Sequence, residues 1–188
     1  MIRFVTLSLA SLFALAPVFA PTGVPVQDPT DVPGAEHARL GKLAGDWTVV
    51  SKFSFGPDIP PQEFRGEAHA KAILGGRFVQ FDETAVEFGQ PVERHKTWGF
   101  NNASKKYEST WRYTGSTAAM NLVGTSADGG KTITGNASFE GGKREEKFTW
   151  KLEVMDVDHF SSTLTSPAGD GHPAATFTAV YTRAAARK

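Results

Sequence analysis

Cysteine is absent from this chain of 188 residues. The chain therefore forms no disulfide bond, and it also lacks the cysteine that carries the lipid of a bacterial lipoprotein. If the protein is exported, we expect it in a soluble compartment, periplasmic or extracellular, rather than tethered to a membrane by lipid.

A long apolar run is also lacking, because the mostly apolar stretch from Phe4 to Leu15 is too short to span a bilayer. One basic residue, Arg3, precedes this stretch and small residues follow it, a pattern typical of a secretory signal peptide. We predict that residues 1–20 are the signal peptide, cleaved after Ala20. The Ala14-Leu15-Ala16 sequence offers a second cleavage site.

Charge of either sign is not in excess, since the chain has 20 basic and 20 acidic residues. Removing residues 1–20 takes away only Arg3, which leaves 19 basic against 20 acidic residues. No basic face argues for nucleic acid as a partner. Residues 21–33 contain prolines at 21, 25, 29 and 33, so we predict an extended tether there and one domain over 34–188.

From Asp46 onward, short segments of alternating apolar and polar residues are separated by Gly, Pro, Asn and Asp, which is typical of antiparallel sheet. The predicted helix covers 36–43, and the predicted strands cover 46–55, 63–74, 77–88, 93–101, 106–113, 118–127, 132–140, 145–155, 159–166 and 174–183. Closure removes the two exposed edges of so long a sheet. The sequence therefore predicts an all-β, ten-stranded, up-and-down antiparallel barrel with one short N-terminal helix; a two-sheet sandwich is the alternative.

The first and last predicted strands carry a pair of residues that resembles a known family. Gly45-Asp46-Trp47 begins the first strand and Arg183 ends the last, a pairing that resembles the calycin superfamily, which includes lipocalins. The resemblance implies that Trp47 lies under Arg183 and closes one end of the barrel, with Gly45 part of the closing motif. Strand alternation permits both side chains to point inward, where a guanidinium can stack on an indole ring.

Over the whole predicted domain the chain is similar to a bacterial secreted domain of unknown function, number 1579. The matching stretches are EHARLGKLAGDW, AILGGRFVQFDE, WGFNNASKKYESTW, VMDVDHFSSTLT and VYTR. This resemblance implies a lipocalin-like fold and no particular activity.

A weaker resemblance is to nitrobindins, ten-stranded barrels that bind haem. The stretch from Leu40 to Trp47 and the spacing of His95, Gly99 and Phe100 match that family, but Thr97 stands where it has glutamate. The haem-holding histidine of that family lies late in its chain and is not matched to His159 or His172. Haem is thus a cofactor that this resemblance raises and the residues do not identify.

Signatures of catalysis and metal binding are missing from the sequence. It contains neither the Gly-x-Ser-x-Gly of serine hydrolases nor the His-Glu-x-x-His of zinc hydrolases. Asp156, Asp158 and His159 lie close together, but aspartate is common in turns and we predict a turn there. We therefore assign no catalytic residue and no metal ligand.

Aromatic side chains dominate the predicted inner face, and six residues of the fifth and eighth strands are our candidates to line a ligand cavity. They are Tyr107, Trp111, Tyr113, Phe148, Trp150 and Leu152. A ten-stranded barrel has a wider interior than an eight-stranded one, which just holds a small ligand. We expect a barrel that binds a small hydrophobic molecule. The alternatives are a haem-dependent or lipid-isomerising enzyme and a ligand-free envelope or stress protein that acts through its surface.

Overall fold

Ten antiparallel strands close into a barrel in the computed structural model, which describes residues 31–56, 58–139, 146–169 and 173–185. The prediction of a closed up-and-down barrel with one short helix is confirmed, and the two-sheet sandwich is excluded. The predicted signal peptide, residues 21–30 of the predicted tether and His172 lie outside the described residues.

One helix, α1 (Ala35–Gly41), precedes the barrel. The strands are β1 (Gly45–Phe55), β2 (Gln62–Ile73), β3 (Phe78–Glu87), β4 (Gln90–Asn101), β5 (Lys106–Tyr113), β6 (Met120–Thr125), β7 (Thr132–Phe139), β8 (Glu146–Val154), β9 (His159–Ser166) and β10 (Ala175–Arg183). Each strand pairs with its neighbour in sequence, and β1 pairs with β10 from Trp47 opposite Arg183 to Phe55 opposite Ala175. This last pairing leaves no edge strand for association with another chain.

The apolar positions of β2 are not all buried. Ala68 and Ala70 are buried, but Ala72 and Leu74 are exposed. The reason is that β2 ends at Ile73 and the chain turns through a short 3₁₀ segment, in which Leu74 has φ 50° and Gly75 has φ 67°.

Helix α1 covers one end of the barrel, called here the helix end. His37 and Leu40 are its buried residues, and the His37 ring meets Phe100 edge-on with centroids 6.0 Å apart. The Tyr107 hydroxyl donates a hydrogen bond to the Glu36 carboxylate, which joins the helix to β5. The opposite end of the barrel, where β1 ends and β10 begins, is called the open end.

In the part of the chain that the structure describes, none of the helices has the length and apolar character that a transmembrane helix needs.

The helix end is sealed by Trp47 and Arg183, which the calycin resemblance pairs. The Arg183 guanidinium carbon lies 4.3 Å from the centre of the Trp47 ring, and Trp47 is 1% exposed. Gly45 makes room for this stack, because a Cβ atom there would lie 2.4 Å from Arg183 Nη1. Gly45 also has φ 137°, which disfavours other residues.

Arg183 also links two chain segments that the barrel sheet does not join. Its guanidinium donates to the carbonyl oxygens of Lys42 (3.0 Å) and Ala44 (3.0 Å), between α1 and β1. It also donates to the Val157 carbonyl oxygen (2.8 Å) and to Asp158 Oδ1 (3.1 Å), in the turn between β8 and β9. One side chain therefore connects the segment between α1 and β1 to the β8–β9 turn.

Aromatic rings fill the interior between the helix end and the middle of the barrel. Phe160 and Tyr181 stack in parallel with centroids 4.1 Å apart, and Trp47 meets Phe160 edge-on at 4.8 Å. Trp98 and Trp150 lie 5.3 Å apart. All five are at most 3% exposed, so this half of the barrel is a filled core rather than a cavity.

We expect the two closing residues to be energetically coupled. Trp47→Ala should lower the free energy of unfolding by about 3–5 kcal/mol as a large core deletion. Arg183→Ala should cost less, and the double variant should lose less than the sum, because either single change already breaks the stack. Denaturant unfolding measures all three. Trp98→Ala combined with Arg183→Ala is the matched control and should be additive; additivity in the Trp47 pair as well would show that the stack contributes nothing.

Candidate functional site

A cavity of about 510 Å³ occupies the open end of the barrel. Its walls come from nine of the ten strands and the loops beside them, and they consist mainly of aromatic and aliphatic side chains. The lining residues are Phe53, Glu87, Phe88, Gln90, Val92, Arg94, Trp111, Arg112, Tyr113, Gly115, Met120, Phe139, Phe148, Leu164 and Phe177. This volume lies within the range of small-molecule pockets, roughly 300–1,000 Å³.

Phenylalanine rings pack against one another on one side of the open end. Phe53 lies 4.7 Å from Phe177 and 5.7 Å from Phe88, and Phe88 lies 4.7 Å from Phe64, between ring centroids. Phe88 is nevertheless 59% exposed, at the tip of the β3–β4 hairpin. Mutual packing thus holds an apolar rim in place around the cavity.

The six candidate lining residues divide between the two halves of the barrel. Trp111, Tyr113 and Phe148 line the cavity. The other three are buried in the filled core or beside the helix: Tyr107, Trp150 and Leu152. Strand β5 runs from the helix end to the open end, and β8 runs in the opposite direction. Tyr107, near the start of β5, and Leu152, near the end of β8, therefore lie far from the cavity.

Below the cavity, a buried carboxylate binds a buried ammonium. Lys96 Nζ lies 2.5 Å from Glu83 Oε2 and 2.6 Å from the Tyr181 hydroxyl, which itself donates to Glu83 Oε2 at 2.8 Å. These three side chains are at most 2% exposed. Glu83 and Lys96 come from β3 and β4 whereas Tyr181 comes from β10, so the group ties opposite walls of the barrel together.

A second ion pair extends this group to the cavity. Arg94 donates from Nη1 to Glu83 Oε1 at 3.1 Å and from Nη2 to the Glu87 carboxylate. Ser51 donates to the other Glu87 oxygen at 3.2 Å. Arg94 and Glu87 both line the cavity, and the Phe177 ring lies 5.2 Å from the Arg94 guanidinium carbon. The six residues Ser51, Glu83, Glu87, Arg94, Lys96 and Tyr181 are called the buried network below.

The charges of the network shift one another's protonation. Burial works to raise the pKa of Glu83, but the Lys96 ammonium and Arg94 guanidinium outweigh it and hold that pKa below its ordinary value. Burial lowers the pKa of Lys96, and the Glu83 carboxylate opposes this only in part. Burial and then the Glu83 charge raise the pKa of Tyr181 well above its ordinary value, so the phenol keeps its proton as a donor to Glu83.

Sequence reasoning missed the buried network, because the predicted strands 77–88 and 93–101 placed the turn between them too late in the chain. Phe88 and Gly89 both have positive φ, as a two-residue hairpin turn requires, and this turn sets Glu83 opposite Arg94. Alternation from Val79 through Phe81 then places Glu83 on the apolar face. Opposite charges facing each other on an apolar face are the pattern that predicts a buried ion pair.

The described histidines do not line the cavity. His37 belongs to α1, and the exposed His69 and His95 lie 2.7 Å from Asp46 and Asp82, respectively. His159 lies 2.9 Å from Asp156, in the turn between β8 and β9 where the sequence predicted a turn. The histidine ligation of haem that the nitrobindin resemblance raises therefore does not fit the cavity as the described residues form it.

The acidic side chains and histidines of the described residues do not cluster as metal ligands do. Within the described ranges, no three His, Cys, Asp or Glu side chains lie close enough together to hold a metal ion. The Asp156 carboxylate instead accepts the backbone N–H of Asp158 at 2.8 Å, a turn contact that lowers its pKa together with the contact to His159.

Comparison with known proteins places this geometry in a family. A family model described as "Protein of unknown function (DUF1579)" matches residues 32–183. Among solved structures, the chain is similar to Rv2717c from M. tuberculosis, with a TM-score of 0.59 and 18% identity over 81% of this chain and 99% of the other. At that identity the likeness shows the barrel fold alone. Among curated proteins, none matches the sequence significantly.

We expect the two buried charges to depend on each other. Glu83→Gln and Lys96→Met should each lower the free energy of unfolding by about 3–5 kcal/mol, because each leaves an opposite charge buried without its partner. The double variant should lose less than the sum. Denaturant unfolding measures this, with Glu63→Gln as the control, since Glu63 pairs with Arg65 on the surface and should change little.

The same variants give an expected pH dependence. The folded-state pKa of Glu83 lies below its ordinary value of 4.5, so its contribution to stability is complete above pH 4.5 and is lost as the pH falls below that value. Wild type should therefore lose more stability in acid than Glu83→Gln does. Equal acid sensitivity, or additive single costs, would contradict a functioning ion pair at Glu83.

Proposed function

Because the chain belongs to the DUF1579 family of proteins of unknown function, we propose a function from its geometry: the barrel binds a small, largely apolar molecule in the open-end cavity. The observation that carries the proposal is the cavity of about 510 Å³ with aromatic walls and one ion pair at its inner end. Pockets for small molecules commonly combine apolar walls with a few placed polar groups.

The contrast between the two parts of the barrel interior supports a binding cavity at the open end. The half nearer the helix is filled by rings such as Trp98 and Trp150, while the half nearer the open end keeps its aromatic side chains around an open volume. Trp111 forms part of the cavity wall and also lies 4.8 Å from the Lys96 ammonium, measured to the ring centre. The cavity therefore lies directly above the packed, charged interior of the barrel.

An enzyme on the same barrel is the second candidate, and the geometry favours it less. Glu83, Lys96 and Tyr181 have the chemistry of an acid or base, but they are at most 2% exposed. Glu87 and Arg94 do reach the cavity, and each holds the other in an ion pair. These contacts suit a site that orients a ligand more than one that transforms it.

We also propose that the protein is exported, because the apolar stretch from Phe4 to Leu15 follows a basic residue and precedes small residues, as in a signal peptide. N-terminal sequencing of protein taken from its own source should give a chain that begins at or near Pro21 and stays in solution when membranes are removed. A chain that begins at Met1 or Ile2 and sediments with membranes would contradict export.

For the binding site itself, we expect the neutral fluorescent probe N-phenyl-1-naphthylamine to bind native protein at one saturable site. Met120→Trp should weaken this binding, because the larger side chain occupies part of the cavity that Met120 lines. Met155→Trp is the matched control: Met155 is 57% exposed in the β8–β9 turn and should leave binding unchanged. Added salt should have little effect, since apolar contact drives the binding.

Fluorescence titration of the three proteins tests whether the cavity is a ligand site. If wild type shows no saturable binding while it remains folded, or if Met120→Trp binds as wild type does, the cavity is not a ligand site. A surface interaction would then be the better account of the protein.

A further inference from the structure

We infer that the ligand carries an uncharged polar group, such as a hydroxyl or an amide, that meets Arg94 and Glu87 at the inner end of the cavity. This inference rests on the proposed function and adds the chemical class of the ligand. It predicts a neutral amphiphile, for example a fatty alcohol or amide, in preference to a fatty-acid anion.

The first argument is that the arginine at the cavity is already engaged. Both terminal nitrogens of Arg94 donate to carboxylates, Nη1 to Glu83 at 3.1 Å and Nη2 to Glu87. A ligand carboxylate is held most tightly by a guanidinium that offers two parallel N–H bonds. To obtain that geometry, a fatty-acid anion would have to displace a carboxylate of the protein itself.

The second argument is charge balance. The buried network contains two carboxylates, Glu83 and Glu87, and two cations, Arg94 and Lys96. Arg112 is a further cation in the cavity lining, but it is exposed to solvent. A third anion buried beside Arg94 and Glu87 would therefore lack a buried counter-charge, and removing an ion from water without one is costly. A buried ligand ammonium would likewise lack a carboxylate that is not already paired.

The third argument concerns what the ion pair can still offer. A guanidinium has five N–H donors, and each carboxylate oxygen has two lone pairs. Arg94 donates to Glu83 and Glu87, and Glu87 accepts from Arg94 and Ser51, which leaves both groups with unused capacity. A hydroxyl or primary amide both donates and accepts, so it can bond to each partner without adding charge.

The apolar walls of the cavity favour a ligand with a single polar end. Apart from Arg94 and Glu87, the deep part of the cavity is bounded by apolar side chains such as Phe148, Leu164 and Phe177. A ligand with one polar end and an apolar remainder satisfies both the ion pair and the walls. The polar end would point inward, toward β3 and β4, and the apolar remainder toward the rim.

The test compares four probes of equal chain length: decan-1-ol, decanamide, decanoate and decylammonium. Each displaces N-phenyl-1-naphthylamine from wild-type protein at neutral pH. We expect the two neutral compounds to bind at least about tenfold more tightly than either ion, because only the ions add charge to a balanced site.

A variant separates charge balance from the general cost of burying an ion. Glu87→Gln keeps the shape of the side chain and its acceptor oxygen but leaves the buried network with one excess positive charge. Decanoate should then bind about tenfold or more tightly than it does to wild type, while decan-1-ol changes much less. Glu93→Gln removes the same charge from an exposed position on β4 and should change neither.

A second measurement needs no variant, in case Glu87→Gln does not fold. With wild-type protein, the affinity of decanoate should rise toward that of decan-1-ol as the pH falls through the pKa of an ordinary carboxyl group, roughly 4–5, because the acid form is neutral. The affinity of decan-1-ol, measured over the same range in which the protein stays folded, is the control.

The outcomes distinguish the inference from the proposed function. Tighter binding of the neutral compounds, with a gain for decanoate in Glu87→Gln alone, supports the inference. Decanoate that binds wild type as tightly as decan-1-ol, or gains equally in Glu93→Gln, overturns it and leaves the cavity as a ligand site. If neither the fluorescent probe nor any of the four compounds binds, the proposed function itself fails.

Discussion

The ion pair between Glu83 and Lys96 is the interaction on which the rest of the interior depends. Its atoms lie 2.5 Å apart, both side chains are almost fully buried, and Tyr181 joins them from the opposite wall of the barrel. Burying such a pair costs free energy, and removing one partner while the other charge stays buried costs more still. Arg94 holds the pair in place, because it donates to Glu83 and also to Glu87.

The buried network separates a packed part of the barrel interior from an open part. On the helix side, rings pack face to face or edge to face and the end is sealed by Trp47 and Arg183. On the other side, the network ends in Arg94 and Glu87, and beyond them the interior is open. The same charges that fasten the walls together thus set the chemistry at the inner end of the cavity, which is polar but balanced.

Much of the fold could be predicted from the sequence because turn residues and alternation are local signals. The closing pair of Trp47 and Arg183 could be placed together through a family resemblance. Alternation gives only the face of the sheet and not the depth along the barrel, so Tyr107 and Tyr113 were grouped although they lie at opposite ends. Lys96 was overlooked because a charged residue within an alternating strand is usually on the outer face, and only its partners across the barrel explain its burial.

The central claim is that a neutral amphiphile binds inside the open end, and methionine methyl resonances test it most directly. The chain has three methionines, of which Met120 lines the cavity and Met155 lies in the exposed β8–β9 turn. In protein labelled with ¹³C at the methionine methyl groups, adding decan-1-ol should shift the Met120 resonance to saturation and leave that of Met155 in place. A saturable shift at Met155 alone, or no shift at either residue, would contradict the account.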